Sequence, residues 1–269
     1  MITTLKYGAT NTYLVHGKYG NVLFDTGWAG TFPLLCRALG EKDLRLQDIK
    51  LLLISHFHPD HMGIAQDIAN AGVTLAAADM QREYLHFSDG IFAREKHSRF
   101  TPIDDSKVRF FSIDQSRELL GELGIDGEVL HTPGHSDDSI SLWVESDKTL
   151  LVGDLDPLYE LEMHKGTQVE QSWQKLLALA PQTVCYAHAK TAVLGKADAQ
   201  KSEPHGDTYA LVKKITKLCD KGFDARRIAD RTGADIGFVQ DVQRMYFTHP
   251  NVSVQGILDR IEIKGKCGM

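Results

Sequence analysis

Short apolar runs bounded by glycine, proline and polar residues alternate along the chain with stretches whose apolar residues recur every three to four positions. The first kind reads as strands and the second as helices. Residues 11–17 (NTYLVHG) and 21–27 (NVLFDTG) read as two strands joined by the turn Lys18-Tyr19-Gly20, a hairpin signal. Residues 31–39 read as a helix stopped by Gly40. The continuous run 51–55 (LLLIS) reads as a strand buried on both faces. A helix at 63–71 with Gly72 as its stop, a strand at 73–77 and a helical stretch at 81–87 follow, then a polar, irregular segment at 88–106. Further strands are expected at 107–113, 128–131, 139–145, 149–153 and 183–187, with an amphipathic helix at 170–180 closed by Pro181. Hairpins among strands interleaved with helices predict an α+β fold of mixed sheets covered by helices.

Past 196–204, a polar stretch with a proline that reads as a linker, the pattern is helical at 208–221, 225–232 and 236–247. The expected organisation is a main domain over 1–200 and a small helical module over 205–269. Within the module, Ala229, Gly233, Val239 and Val242 fall where a helix-turn-helix puts its packing contact, its turn and its core face. The second helix carries Asp235, Gln240, Asp241 and Gln243 around Arg244, so no basic stripe faces a nucleic acid. Packing, homodimerisation or a wall over the site mouth is the expected role.

The strand at 51–55 runs into His56-Phe57-His58-Pro59-Asp60-His61, three histidines and an aspartate just past a buried strand end. Imidazole and carboxylate suit divalent first-row metals, zinc first. His56 and His58 are two apart and turn to one side of an extended segment. Asp60 and His61 follow where the chain turns toward a helix and face a second ion. Three more candidates each follow a strand-like run: His135 in the Pro133-Gly134 turn, Asp154 after Gly153, and His188 after Val184-Cys185-Tyr186-Ala187. Five histidines and two aspartates at strand ends are the right number for two adjacent ions sharing one carboxylate.

The chain resembles the metallo-β-lactamase-fold hydrolase superfamily. The HxHxDH segment is complete at His56, His58, Asp60 and His61, and the later motifs match at His135, Asp154 and His188. Asp25 in Leu23-Phe24-Asp25-Thr26-Gly27 matches the early LxDxG motif. The resemblance covers roughly residues 1–195. It implies an αββα sandwich of two mixed sheets flanked by helices, with the metals at one edge. It further implies His56, His58 and His135 on a first ion, Asp60, His61 and His188 on a second, and Asp154 bridging. Asp25 would orient a ligand histidine. Histidine at position 58 favours hydrolysis over the diiron redox branch, and Asp154 with the full histidine set disfavours a true β-lactamase. The last histidine lies in Tyr186-Ala187-His188-Ala189-Lys190, without the glycine common before it in the family, which weighs against close kinship to glyoxalase II.

The function this implies is a dinuclear hydrolase. Water between two cations loses a proton near neutral pH, and the bridging hydroxide attacks an ester, thioester, lactone or phosphodiester. Asp60 would orient that nucleophile or take its proton. Tyr159 and His164, on a segment at 155–166 read as a substrate loop, are candidate substrate contacts. The cofactors expected are two divalent ions per chain, zinc first, with manganese and iron compatible with the same donors. Two alternatives carry other expectations: a mononuclear iron oxygenase acting on persulfides, and a metal- or ligand-sensing regulator with a DNA-binding C-terminal module.

Composition narrows the partners. The chain has 269 residues, 42 % hydrophobic and 25 % charged, which excludes a disordered chain. A formal net charge of −6 argues against bulk nucleic acid or an anionic membrane. The expected partner is a small molecule. Arg94, Lys96, His97 and Arg99 form a local basic patch that suits an anionic one. No apolar run reaches the roughly 18–20 residues of a membrane span, and the start lacks a signal-peptide pattern. The four cysteines show no paired spacing, so reduced thiols and a cytoplasmic location are expected.

Overall fold

The computed structural model describes residues 1–95, 99–195, 206–248 and 252–265. The first sheet runs in spatial order β1 (Ile2–Lys6), β2 (Asn11–Val15), β3 (Asn21–Phe24), β4 (Ile49–Leu53), β5 (Thr74–Ala78) and β6 (Arg109–Phe111). β1 to β3 pair antiparallel, and β3 to β6 pair parallel. The second sheet comprises β7 (Gly127–His131), β8 (Ile140–Val144), β9 (Thr149–Leu151), β10 (Thr183–Cys185) and β11 (Ala192–Val193). It is antiparallel except for the β9–β10 pair.

Period-two alternation separates the layers. Val22, Phe24, Leu51 and Leu53 point from the first sheet toward Val129, Leu142, Val144 and Leu151 of the second, forming the core between the sheets. The intervening Leu23 and Leu52 point the other way, onto Leu35 and Leu39 of α1 (Phe32–Gly40) and Ile68 of α3 (Ala65–Asn70). Leu51–Leu53 is therefore buried on both faces, as its unbroken apolar run predicts. On the far side, Trp143 and Leu150 pack on Trp173 and Leu176 of α6 (Gln168–Ala178). The result is the four-layer αββα sandwich.

The strands preceding the candidate site residues are β3, β4, β7, β9 and β10. The pairing directions carry the C-terminal ends of β3 and β4 to one edge, and those of β7, β9 and β10 to one edge of the other sheet. Backbone bonds lace these edges together: Ile140 N–H donates to Ser55 O (2.8 Å) and Asn11 N–H to Ala187 O (2.9 Å).

Several local expectations are corrected. The helix expected at 63–71 is α3 within that span, and a separate short helix, α2 (Pro59–Met62), precedes it; Gly63, which sits against the backbone of Gly27 and Ala29, divides the two. The stretch expected to be irregular at 88–106 contains α4 (Asp89–Phe92), which buries Phe92; Lys96 and His97 of its basic patch lie outside the described residues. The helix at 81–87 is a 3₁₀ turn at Asp79–Tyr84. The segment 155–166, expected as a loop, contains a 3₁₀ helix at Leu158–His164 that buries Glu160 and His164. β1, β11 and α5 (Ser116–Gly121) carry no strong periodic signal of their own and form through tertiary pairing and packing.

The C-terminal helices α7 (Gly206–Cys219), α8 (Ala225–Thr232), α9 (Ile236–Thr248) and α10 (Val254–Gly265) enclose their own apolar cluster, with Val212, Ile215, Ile228, Val239, Val242 and Ile257 fully buried. Gly233, at φ 72°, makes the left-handed cap between α8 and α9. α10 extends beyond the expected helices and rests on the 3₁₀ helix of the main sandwich: Tyr159 Oη donates to Asp259 Oδ2 (3.0 Å), and Ser253 N–H to Glu160 Oε1 (2.7 Å). The linker expected at 196–204 and Cys267 lie outside the described residues. Cys36, Cys185 and Cys219 are free thiols. Among the described residues no helix is long and apolar enough to cross a membrane.

Leu142 lies at the centre of the inter-sheet layer with no exposed surface. Leu142→Ala is expected to lower unfolding stability by about 2–5 kcal/mol, seen as a lower urea midpoint at unchanged slope.

Candidate metal centre

Asp25 follows β3 in a left-handed conformation (φ 65°), unusual for a residue with a Cβ. The conformation turns its carboxylate across to the end of β4, where Oδ1 accepts Ser55 N–H (2.6 Å) and Oδ2 lies 3.0 Å from His61 Nδ1. Asp25 is 1 % exposed. With Nδ1 of His61 engaged, its Nε2 points into the cluster. Thr26 fixes the same turn from outside, donating both its N–H (2.8 Å) and its Oγ1–H (2.7 Å) to His61 O.

Two other imidazoles are aimed in the same way. His56 Nδ1 lies 3.0 Å from Ser55 Oγ, which leaves Nε2 facing inward. His188 Nδ1 donates to Ala9 O (2.9 Å), so its Nε2 reaches Asp60 Oδ2 at 2.9 Å. His58 Nδ1 and His135 Nε2 face each other at 3.1 Å. Gly153 (φ 56°) lets the β9 end approach so closely that a Cβ there would lie 2.5 Å from Ser55 Oγ. The approach brings Asp154 between the histidines: Oδ1 lies 3.3 Å from His61 Nε2 and 3.4 Å from His188 Nε2, and Oδ2 lies 3.6 Å from His135 Nε2.

Three donor groups result, each with its ligand atoms within 4.8 Å of one another: His56, His58, His135; His56, His61, Asp154; and Asp60, His61, His188. The structure thus brings together the seven candidate donors that the sequence singles out, from four strand ends. His56 Nε2, His61 Nε2 and Asp154 Oδ1 are buried with no hydrogen-bond partner, although an unmet buried polar group costs about 1–3 kcal/mol. Converging unpaired donors of this kind fit divalent metal ions.

The electrostatics agree with that fit. Burial, then the neighbouring His61 and His135, pushes the His56 imidazole well below its usual range. Burial and His135 bring His58 down to about 4. Both are therefore neutral and able to donate lone pairs at neutral pH. His61 is the exception: burial lowers it, but Asp154, Asp25 and Asp60 outweigh burial and raise it. Burial raises Asp60 and Asp154, yet His61 and His188 hold both below the ordinary carboxylate range. Both acids are anionic at neutral pH.

Tyr159 and His164 are not part of any donor group. The Tyr159 hydroxyl is engaged with Asp259, and His164 is buried 3.7 Å from Asp156. The sequence reading missed several residues that build the site. Asp138 Oδ2 accepts Phe57 N–H (2.8 Å) and holds the HxHxDH loop from the second sheet. Gln81, with no exposed surface, donates to Ile54 O (3.0 Å) and Asp138 O (3.0 Å). The pair Asp137-Asp138 beside the His135 turn is a signal for the first. A lone glutamine gives none for the second.

Asp25→Asn preserves the side-chain shape but replaces the Oδ2 acceptor facing His61. The expected outcome is a folded protein whose zinc affinity, measured by competition with a chromogenic chelator, falls about 10–100-fold.

Comparison with known proteins agrees with this geometry. The family model described as the metallo-beta-lactamase superfamily matches residues 5–188. A lactamase-like protein of Pestalotiopsis fici is 29 % identical over 150 residues, 54 % of this chain and 39 % of that protein. An atrochrysone carboxyl ACP thioesterase of Claviceps purpurea is 28 % identical over 153 residues, 55 % of this chain and 40 % of that protein. A probable metallo-hydrolase of Methanocaldococcus jannaschii is 29 % identical over 152 residues, 55 % of this chain and 68 % of that protein. The match thus spans only about two fifths of the fungal relatives' length. Among solved structures, the BLEG-1 B3 metallo-beta-lactamase superposes with TM-score 0.55 at 22 % identity, covering 72 % of this chain and 95 % of that one. A metallo-beta-lactamase family protein from Thermus thermophilus superposes with TM-score 0.53 at 18 % identity, covering 98 % and 94 %. From its sandwich, its histidine-rich centre and the span of the family match, the chain belongs to the metallo-beta-lactamase superfamily.

Proposed function

We propose that this protein is a metal-dependent hydrolase with a dinuclear centre, acting on an activated carbonyl, a thioester or ester before other bonds. The observation that carries the reading is the convergence of six donors around a seventh, Asp154, with a histidine triad to one side and Asp60, His61 and His188 to the other. His56, His58 and His135 would hold one ion, Asp60, His61 and His188 a second, and Asp154 would serve both. Bound divalent ions supply Lewis-acid polarisation of the scissile bond and lower the pKa of water. The thioester preference draws on the name of the Claviceps purpurea relative.

The chain's own groups account for the rest. Asp60 is anionic and partly exposed, with Oδ2 2.9 Å from His188 Nε2, so it can orient a water or take its proton at Oδ2. Asp25, Ser55 and the Ala9 carbonyl fix the imidazole rings, so the donors need little rearrangement when loaded. The balanced reaction consumes one water per thioester, breaks the C–S bond, and releases a carboxylate, a thiol and one proton. Residues 1–200 form the proposed hydrolase unit.

Elemental mass spectrometry of the protein as isolated is expected to find about two divalent ions per chain. Thioester or ester hydrolysis should be lost with a strong chelator and restored by zinc or manganese. Full activity after complete metal removal would overturn the reading. Asp60→Asn is expected to lower kcat about 10²–10⁴-fold.

A further inference from the structure

One aromatic surface reaches the donor cluster without being part of it. The Phe87 ring lies against His58, with ring centroids 5.2 Å apart and planes at 33°. Phe87 nevertheless remains 53 % exposed. Its backbone is held in place, with its N–H donating to Tyr84 O (2.9 Å) and the next residue's Ser88 Oγ donating to Phe57 O (2.6 Å). A second exposed aromatic follows the neighbouring strand end, that of β3. Trp28 lies two residues after Thr26, which is bonded to His61 O, and the intervening backbone packs on Gly63. Trp28 is 39 % exposed and meets Phe92 edge-on at 5.2 Å, while Phe92 stacks on Phe100 at 4.2 Å. Ile91, also exposed, lies between Phe87 and Phe92 along the chain.

Exposed apolar side chains scattered singly require no explanation. Here the Phe87 ring packs on His58 and stays bare beside the polar cluster, and Trp28, on the turn that follows Asp25, stays bare where it meets Phe92. Phe87 touches the His58 side of the cluster. Asp60, the group able to handle a proton, lies on the His188 side. A leaving thiol or alcohol that needs a proton is served from the Asp60 side, which leaves the acyl part of the substrate facing His58 and Phe87.

We propose that Phe87 and Trp28 form the acyl-group subsite and that the substrate carries an apolar, planar acyl group. The assignment rests on the hydrolase reading above and adds the substrate class. A planar group stacks on the Phe87 face and meets Trp28 with a gain that a short aliphatic group cannot match.

The test uses a series of N-acetylcysteamine thioesters with one leaving group and acetyl, butyryl, benzoyl and 2-naphthoyl acyl parts, with thiol release followed on the metal-loaded protein. The readout is the ratio of kcat/KM for naphthoyl over acetyl. Phe87→Ala and Trp28→Ala are each expected to lower that ratio about tenfold, mainly through KM, and Phe87→Trp to keep it. A ratio unchanged in both alanine variants overturns the proposal.

A binding measurement separates this outcome from failure of the hydrolase reading. Of the three tryptophans, Trp143 and Trp173 are buried, so the part of the fluorescence change on adding 2-naphthoate that is lost in Trp28→Phe reports on Trp28. A saturable change that Trp28→Phe shifts or abolishes supports the subsite even if no thioester is cleaved. No change with naphthoate at millimolar concentration, together with no hydrolysis, overturns both readings. Hydrolysis with no acyl discrimination by the variants overturns only the subsite.

Discussion

The centre depends on one buried carboxylate in an unfavourable backbone conformation. Asp25 sits at φ 65° at the end of β3, and its two oxygens join the neighbouring strand end and the ring of His61. A left-handed residue with a side chain persists only where the surroundings over-determine it. Here Ser55 N–H, His61 Nδ1 and the Asp25 N–H bond to Leu53 O (2.9 Å) do so together. The clamp sets the spacing of the β3 and β4 ends, and that spacing sets where His56, His58, Asp60 and His61 point.

The remaining donors arrive from the second sheet, so the position of the centre is a consequence of how the two sheets face each other. Gly153 permits the closest approach, against Ser55, and Asp138 reaches back to hold the HxHxDH loop. Gln81 joins backbone groups on both sides of this seam. The polar groups of the seam are satisfied by one another, whereas His56 Nε2, His61 Nε2 and Asp154 Oδ1 are not. A protein interior tolerates few such unmet groups, which is why their convergence marks a site for a cation rather than an accident of folding. Beside this polar floor the surface differs in kind: the exposed Phe87 ring offers a flat apolar face next to His58.

The α+β class, the buried central strand and the seven residues that cluster at the strand ends were legible in the residues. They were legible because metal donors must be specific residue types, crowded at 56–61 and placed singly after the strands ending before 135, 154 and 188. The Asp25 role came only with the family resemblance, since a lone aspartate after a strand reads equally as a turn. Short elements were less legible. α4, the 3₁₀ helix at Leu158–His164, β1 and α10 have weak patterns of their own and are stabilised by what they pack against. Tyr159 shows the consequence: on sequence it sits on a loop near the chemistry, but α10 takes its hydroxyl.

Local sequence by itself determined which side chains can bind a metal and which segments bury an apolar face, because both depend on residue type and on periods of two or three to four. Only the tertiary structure decided which nitrogen of each imidazole faces inward, which carboxylate lies between the two triads, and which aromatic rings stay bare beside them. Those properties depend on distances between residues far apart in the chain, such as Asp25 and Ser55 or His58 and His135, which exist only once the two sheets have closed on each other.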